Sequence, residues 1–564
     1  DFFIKNEVMH LDDIEKETAP KVEQYLSKIR VLRAIAGKLI DFLAQLEDFQ
    51  KKLWLKKKFV VESSWLISVG VIPEEFYPEI AANEAQREEW VRLCRISEIK
   101  GDLSKPGYSD PLKPSFLGAH PSLVVDSRHF PCALVSSILA RLGDLHGKQD
   151  GALIQADNTQ ALRLMRASKQ AAVGLVYVDP PYNTGQDAFV YKDAYQHSTW
   201  LCMFNACLDS AEPLLTGSGV LACSLDDNET FNLGVMVKVG GSGLARMGEF
   251  VWKTRNTDNR IVSGLSVDHE YIHLFARDGA SIPGRTIDRS NFKNPDNDSR
   301  GPYTTDPLVG KANAQARPNL HFTVVDPKTG DRYPPDPDFG WITDPEGFQQ
   351  LIDDDRVYWP KNPKTGSPRK RRFLSETKDR APVSSLEIEI TQGEGNQAIA
   401  ELFGEKLMSF PKPTSVLGTI VDVCSKQSAE VMDFFAGSGT TGHAVIDVNR
   451  SSGSHRTFTL VEAELYFDKV LLPRIKKVAF TPEWKDGKPA RMATKEEIER
   501  GPRIIKVLRL ESYEDALNNL ETQRTPEQQK VLFSVDADGP DGFREDYLLR
   551  YMLDVETRES PSLL

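Results

Sequence analysis

The run Asp179-Pro180-Pro181-Tyr182 joins a carboxylate to two residues that carry a carbonyl but no N–H. An aspartate and a proline carbonyl together accept hydrogen bonds and donate none. Such a site suits an amino group, above all the exocyclic amine of a nucleobase. Two acceptors draw the amine lone pair out of the ring and make it nucleophilic. Tyr182 adds a flat face for stacking, worth roughly 1–3 kcal/mol. The plain alternative is a strand ending in a stiff turn with a capping aspartate. A second run, from Asp433 to Gly442, spaces Gly437, Gly439 and Gly442 as GxGxxG, and Glu462 follows about 20 residues on. There the glycines let a backbone turn approach a nucleotide, and the acid bonds ribose hydroxyls. Alone this pattern suits NAD, FAD or S-adenosylmethionine (SAM).

Both runs need buried strands behind them. Leu175–Val178 reads as a parallel strand that the prolines terminate, which puts Asp179 at its carboxyl end, where open α/β sheets bind ligands. Val431 and Met432 lead into the glycine turn in the same way, and Val461 precedes Glu462.

DPPYNTG resembles motif IV, and DFFAGSGTTG motif I, of the amino methyltransferases that act on adenine or cytosine in DNA. The catalytic motif comes first and the SAM motif roughly 250 residues later, the order of the β class. More narrowly, the chain resembles the modification subunits of Type III restriction systems and related large phage-defence methylases, from about residue 150 onward. The resemblance implies a SAM site with Asp157 at the adenine, Asp433, Phe434, Ala436, Gly437, Gly439 and Thr440 in the loop, and Glu462 at the ribose. It places Lys412, Thr414 and Ser415 of SFPKPTSVL near the methionine end. Asn183, with His269 and Tyr271 of the DHEYIL-like segment, is expected to line the target-base pocket. FVYKDAYQHSTWLCMFNACLDSAEPLL (189–215) resembles the aromatic loop and helix after motif IV. No metal is implied. Adenine is favoured over cytosine-N4, whose enzymes more often carry Ser for the Asp. The rival readings are a catalytically silent DNA-binding subunit and an RNA methyltransferase.

A net charge of −12 argues against a protein that coats nucleic acid nonspecifically. Locally the balance reverses: Lys361, Lys364, Arg369, Lys370, Arg371 and Arg372 cluster, and are expected to meet DNA phosphates unless they form a solvated loop. Six scattered cysteines without a CxxC pair read as reduced thiols. No apolar stretch reaches the roughly 18 residues needed to span a bilayer. The expected setting is the cytoplasm, with no membrane partner.

Leucines and other apolar residues at spacings of three and four make residues 1–60 helical, either a coiled-coil arm or a helix on the core. Residues 281–370 hold 13 of the chain's 34 prolines, interleaved with aromatics, which argues for an ordered insert. No GxxxxGK[ST] loop is present, so cleavage would need another chain. The expected fold is α/β, a Rossmann-like SAM-dependent methyltransferase with a doubly wound, mostly parallel seven-stranded sheet. Its expected parts are a helical or mixed region (1–150), a catalytic half-core (151–280), a target-recognition insert (281–400), a SAM half-core (401–480) and an extension (481–564). The expected partners are double-stranded DNA and restriction or other defence subunits; a homodimer is compatible. The chain starts at Asp1 and stops just after an apolar helical run, and is expected to be a piece of a longer protein.

Overall fold

The computed structural model describes residues 18–512 and 515, apart from 56–57, 102–105, 146, 167, 186–192, 241, 257–263, 288, 361, 363–364, 379 and 387–389. The chain divides into two compact units. The first comprises 1–280, 388–421 and 427–564, and the second 281–387 with 422–426. Residues 390–400, expected to belong to the insert from their position before SFPKPTSVL, therefore pack with the first unit.

The first unit is built on ten strands, β1 (Val60–Ser68), β2 (Val124–Asp126), β3 (Gly151–Gln155), β4 (Val173–Val178), β5 (Leu215–Leu225), β6 (Leu244–Lys253), β7 (His269–Arg277), β8 (Glu430–Asp433), β9 (Thr457–Glu462) and β10 (Ile504–Leu510). They form one sheet in the order β2-β1-β10-β3-β9-β8-β4-β5-β7-β6. The run from β3 to β6 is the seven-stranded sheet that the sequence implies. Its first five members are parallel, and β7 runs against β5 and β6. Three strands extend one edge: β10, parallel to β3, then β1 and β2, antiparallel. Thus strands from before residue 150 and from 504–510 complete the same sheet.

β4 and β8 lie side by side at its centre. From β8 the neighbours run to β9 and β3, from β4 to β5 and β7. This reversal opens a crevice at the carboxyl ends. It also mixes the two half-cores, because β3 stands on the glycine-loop side although it precedes β4 in the chain.

The main helices outside residues 281–387 are α1 (Ala19–Leu55), α2 (Glu84–Cys94), α3 (Asn158–Met165), α4 (His197–Ala211), α5 (Thr230–Val239), α6 (Gly393–Phe403), α7 (Thr414–Cys424), α8 (Thr440–Ser452) and α9 (Leu472–Phe480). Trp200 and Phe204 of α4 stack at 5.1 Å and pack with Val176, Val178 and Met432, which fixes the two central strands against one helix. Gly442 of α8 is a packing glycine: a Cβ there would come within 2.8 Å of Leu460. α1 is not a core helix. Of its described side chains only Ile29 is buried, and Leu32, Leu39 and Leu43 are exposed.

One buried ionic knot ties the N-terminal region into this unit. Lys476 of α9 donates to Glu89 of α2 (2.5 Å) and to Asp126 of β2 (2.6 Å), and Arg128 pairs with Asp126 at 2.8 Å. Glu89, Asp126 and His129 could hold a metal by spacing alone, but the Lys476 ammonium already bridges the two carboxylates. Cys94, Cys207, Cys223 and Cys424 are buried and Cys132 and Cys202 exposed, all as free thiols.

The second unit is a set of short antiparallel ladders. Residues 303–307, 357–358 and 369–373 form its three-stranded sheet, and Leu308, Val324, Tyr333, Trp341, Phe348 and Val357 its core. Its aromatics are thus packed, as the sequence reading of an ordered segment requires. No described helix is long and apolar enough to cross a membrane.

Candidate active site

Asp179 stands at the end of β4, where the prolines stop the ladder. Trp200 Nε1 donates to the Pro181 carbonyl at 2.7 Å and uses one of its two lone pairs. Three side chains from three elements meet beside Asp179. Lys412 Nζ lies 3.2 Å from Asp179 Oδ1 and 3.2 Å from Glu270 Oε2, and donates to the Tyr182 hydroxyl at 2.7 Å. Tyr182 in turn donates to Glu270 at 2.9 Å. The ammonium also sits over the rings of Tyr182 (4.6 Å) and Trp252 (5.2 Å). Asp179 Oδ1 is buried, yet it receives no hydrogen bond of ordinary geometry; Lys412 reaches it only as an ion pair.

The electrostatics follow from one cation facing two carboxylates out of water. Burial lifts the Asp179 pKa above the usual carboxylate value; Lys412 pulls it back and Glu270 pushes it up. Burial opposes the Lys412 charge, but Asp179 and Glu270 outweigh it and hold its pKa above the usual lysine value. Tyr182, buried beside Asp179, stays protonated and acts as a donor.

Glu270 was not singled out in the sequence, whereas its neighbours His269 and Tyr271 were. On a strand, successive side chains point to opposite faces. Glu270 reaches Tyr182 and Lys412, while His269 and Tyr271 bond each other at 3.0 Å. Asn183 is engaged by its own loop. It takes a left-handed φ of 62° and donates to buried Glu229 (2.6 Å), while its Oδ1 accepts from Tyr195 N (2.6 Å) and its own N–H goes to Asp193 (2.7 Å). It shapes the loop after Tyr182. Of the segment 189–215, residues 189–192 lie outside the described residues.

The glycine run closes the other side of a cavity of about 750 Å³ that Asp179, Pro181 and Lys412 also line. Gly437 and Gly439 adopt φ of 50° and 78°, and α8 starts directly after them. Glu462 is held by backbone N–H groups on both oxygens, from Gly437 at 2.7 Å and Glu464 at 2.9 Å. Asp157 caps α3 through Thr159 and Gln160 and lines the cavity, as do Phe434, Ala436 and Thr440. Asp433 is buried there between Phe435 N (2.9 Å) and the Thr441 hydroxyl (2.5 Å), and burial pushes its pKa up to about 7. The other hydroxyls expected near the cofactor differ. Ser415 is exposed and Thr414 Oγ1 accepts from Arg474 at 3.1 Å, and neither lines the cavity, because α7 begins at Thr414 and turns them away.

The arginines of 369–372 do not form a free cationic patch. Arg371, 14% exposed, pairs with Asp296 (3.0 Å) and Asp298 (3.2 Å) and lies over Tyr303. Arg372 pairs with Asp306 at 2.8 Å, and Arg369 bonds Thr305. The acids come from 296–306, brought in by the ladder of 303–307 with 369–373. Lys361 and Lys364 lie outside the described residues.

The family described as DNA methylase (N6_N4_Mtase) matches residues 173–467, a span that contains Asp179, Glu270, Lys412 and the glycine loop. The Type III restriction-modification enzyme StyLTI Mod subunit of Salmonella typhimurium is 28% identical over 343 residues, 54% of this chain and 51% of that protein. The matching stretch thus spans about half the length of that relative. The EcoPI Mod subunit of Escherichia phage P1 is 26% identical, over 68% of this chain and 67% of its own. The Type II methyltransferase M.KpnI of Klebsiella pneumoniae is 26% identical, over 54% of this chain and 79% of its own.

Proposed function

Because this chain belongs to the DNA methylase family, we propose that it transfers a methyl group from SAM to the exocyclic N6 amine of an adenine flipped out of duplex DNA. The observation that carries this reading is Asp179 Oδ1, a buried acceptor without a hydrogen bond, in one cavity with the glycine loop. A base amine supplies the missing donor.

The residues fit SAM. Glu462 has both oxygens anchored and lone pairs left for a ribose diol, and Asp157 lines the same wall. When bound there, SAM supplies an electrophilic methyl on a positively charged sulfur. The protein's part is positioning and charge. Asp179 and a proline carbonyl of the same turn would orient the amine, and Tyr182, braced through its hydroxyl, would hold the base by its face. As the N–C bond forms, positive charge grows on the amine. Asp179, Glu270 and Lys412 together carry one net negative charge at that place. The raised pKa of Asp179 also suits it to accept the proton that the methylated amine sheds.

The base must leave the stack to reach Asp179. The second unit stands in the chain where the family's target-recognition insert belongs, and we assign it the reading of duplex DNA. Restriction or other defence-system subunits are the partners this function calls for, in the cytoplasm. The test is Asp179→Ala: methylation of duplex DNA should fall at least about a hundredfold, or about 3 kcal/mol. Binding of SAM should persist. A variant retaining more than about a tenth of wild-type turnover (a loss under about 1.4 kcal/mol) would place the chemistry elsewhere.

A further inference from the structure

Arg474 of α9 is 1% exposed, yet among the described residues no carboxylate lies within 4 Å of it. Burial pushes its pKa only down to about 10, so it is a cation at neutral pH. A buried charge without a counter-ion is costly. Its partners are instead neutral: Nη1 donates to the hydroxyls of Ser438 (2.9 Å) and Thr440 (2.8 Å), Nη2 to Thr414 Oγ1 (3.1 Å) and Nε to His443 Nδ1 (3.2 Å). The nearest acid in this chain of contacts, Asp447, is reached only through His443, whose Nε2 lies 3.1 Å from it.

A guanidinium donates and never accepts. Each hydroxyl oxygen that takes an Arg474 N–H therefore keeps its own hydrogen to donate elsewhere. Ser438 and Thr440 are 3.0 Å apart, so one of them uses its hydrogen on the other. The remaining O–H of the pair is left to donate, and both residues line the cleft cavity. They stand at the start of α8, a helix of 13 residues whose first N–H groups have no acceptor within the helix. Hydroxyl donors, helix N–H groups and an uncompensated cation thus converge on one stretch of wall.

We propose that Arg474 is a positioning residue for an anion on the cofactor, the carboxylate of its methionine moiety, which it recognises through the Ser438 and Thr440 hydroxyls. This rests on the SAM reading above. The cation is buried behind the wall, where it acts at low dielectric and where water cannot screen it.

Calorimetry on the full chain with three probes tests this. S-adenosylhomocysteine carries the carboxylate, 5′-methylthioadenosine lacks the whole amino acid, and decarboxylated SAM keeps only the amine. In Arg474→Met, affinity for S-adenosylhomocysteine should fall at least about tenfold, the loss of charge-assisted bonding. Affinity for the two probes without a carboxylate should stay within about twofold, a change under about 0.5 kcal/mol. Equal losses for all three probes, or no loss, would overturn the role. If Arg474→Met binds nothing because it fails to fold, Thr440→Val decides. It should lower the ratio of S-adenosylhomocysteine to methylthioadenosine affinity, and an unchanged ratio overturns the proposal. Wild-type protein that binds none of the probes would instead refute the SAM reading itself.

Discussion

The cluster around Asp179 and the cluster around Arg371 are made of the same parts, carboxylates facing a cation beside a tyrosine ring, and they end in opposite states. Arg371 shares three aspartates and Arg372 takes a fourth, so the arginines of that strand are largely spent within their own unit. Around Asp179 the one cation is divided between two carboxylates and a hydroxyl, and a buried oxygen is left with an ion pair but no hydrogen bond. Charge that its neighbours have satisfied holds a fold together. Charge left unsatisfied inside a cavity binds something else. Density of charged residues in the chain does not distinguish the two, and the number of partners each atom finds does.

The comparison is sharpened most strongly at Glu270. Glu270→Gln removes a carboxylate that competes with Asp179 for Lys412 and anchors Tyr182. Lys412 should then settle on Asp179 and occupy the seat of the base amine. Turnover should fall by roughly 1.5–3 kcal/mol, about ten- to a hundredfold, the range for a hydrogen bond to a charged group. SAM affinity should hold. A Glu270→Gln enzyme with wild-type turnover in single-turnover assays would show that Lys412 is not held in balance.

Asp433 offers a smaller effect, read without substrate. Its folded pKa of about 7 lies above the unfolded carboxylate value of about 3.9. Its ionisation therefore works against folding: the stability it contributes is fully present below about pH 4 and is lost as pH rises through about 7. Melting temperatures of ligand-free protein should fall across that window, and Asp433→Asn should flatten the fall. Identical pH profiles for both proteins would refute the assignment.

The smallest effect on binding is expected where the chain is most basic. Neutralising Arg371 and Arg372 should lower the melting temperature, because Asp296 and Asp306 lose their ion-pair partners and Asp298 keeps only Arg300. It should change the salt slope of DNA binding by less than the roughly 0.9 that one phosphate contact contributes. Lys370→Gln is the companion variant, with that single-contact effect at most. A loss of two or more contacts from the arginine pair would return the strand to the DNA interface.

The DPPY and GxGxxG runs were legible in the chain because their chemistry is local. A strand that ends in two prolines, and a turn that needs positive φ at Gly437 and Gly439, are dictated within a few residues. The same holds for Glu462, whose strand end is fixed by a short apolar run. The motif names a segment, 269–271, while the pleat decides that Glu270 is the side chain that meets Tyr182 and Lys412. Asn183 looked like a pocket residue until its three bonding groups were seen to close a loop. Strand order is likewise invisible in the chain: β3 sits with β9 although β4 follows it, and β1, β2 and β10 extend an edge with no motif to mark them. The arginine run could be read only as charge, since the aspartates that neutralise it lie 60 to 75 positions earlier, as the pairs 372–306 and 371–296 show. Residue type and local turn geometry determine what chemistry a segment can offer. Long-range pairing decides which of its groups are still free to do it.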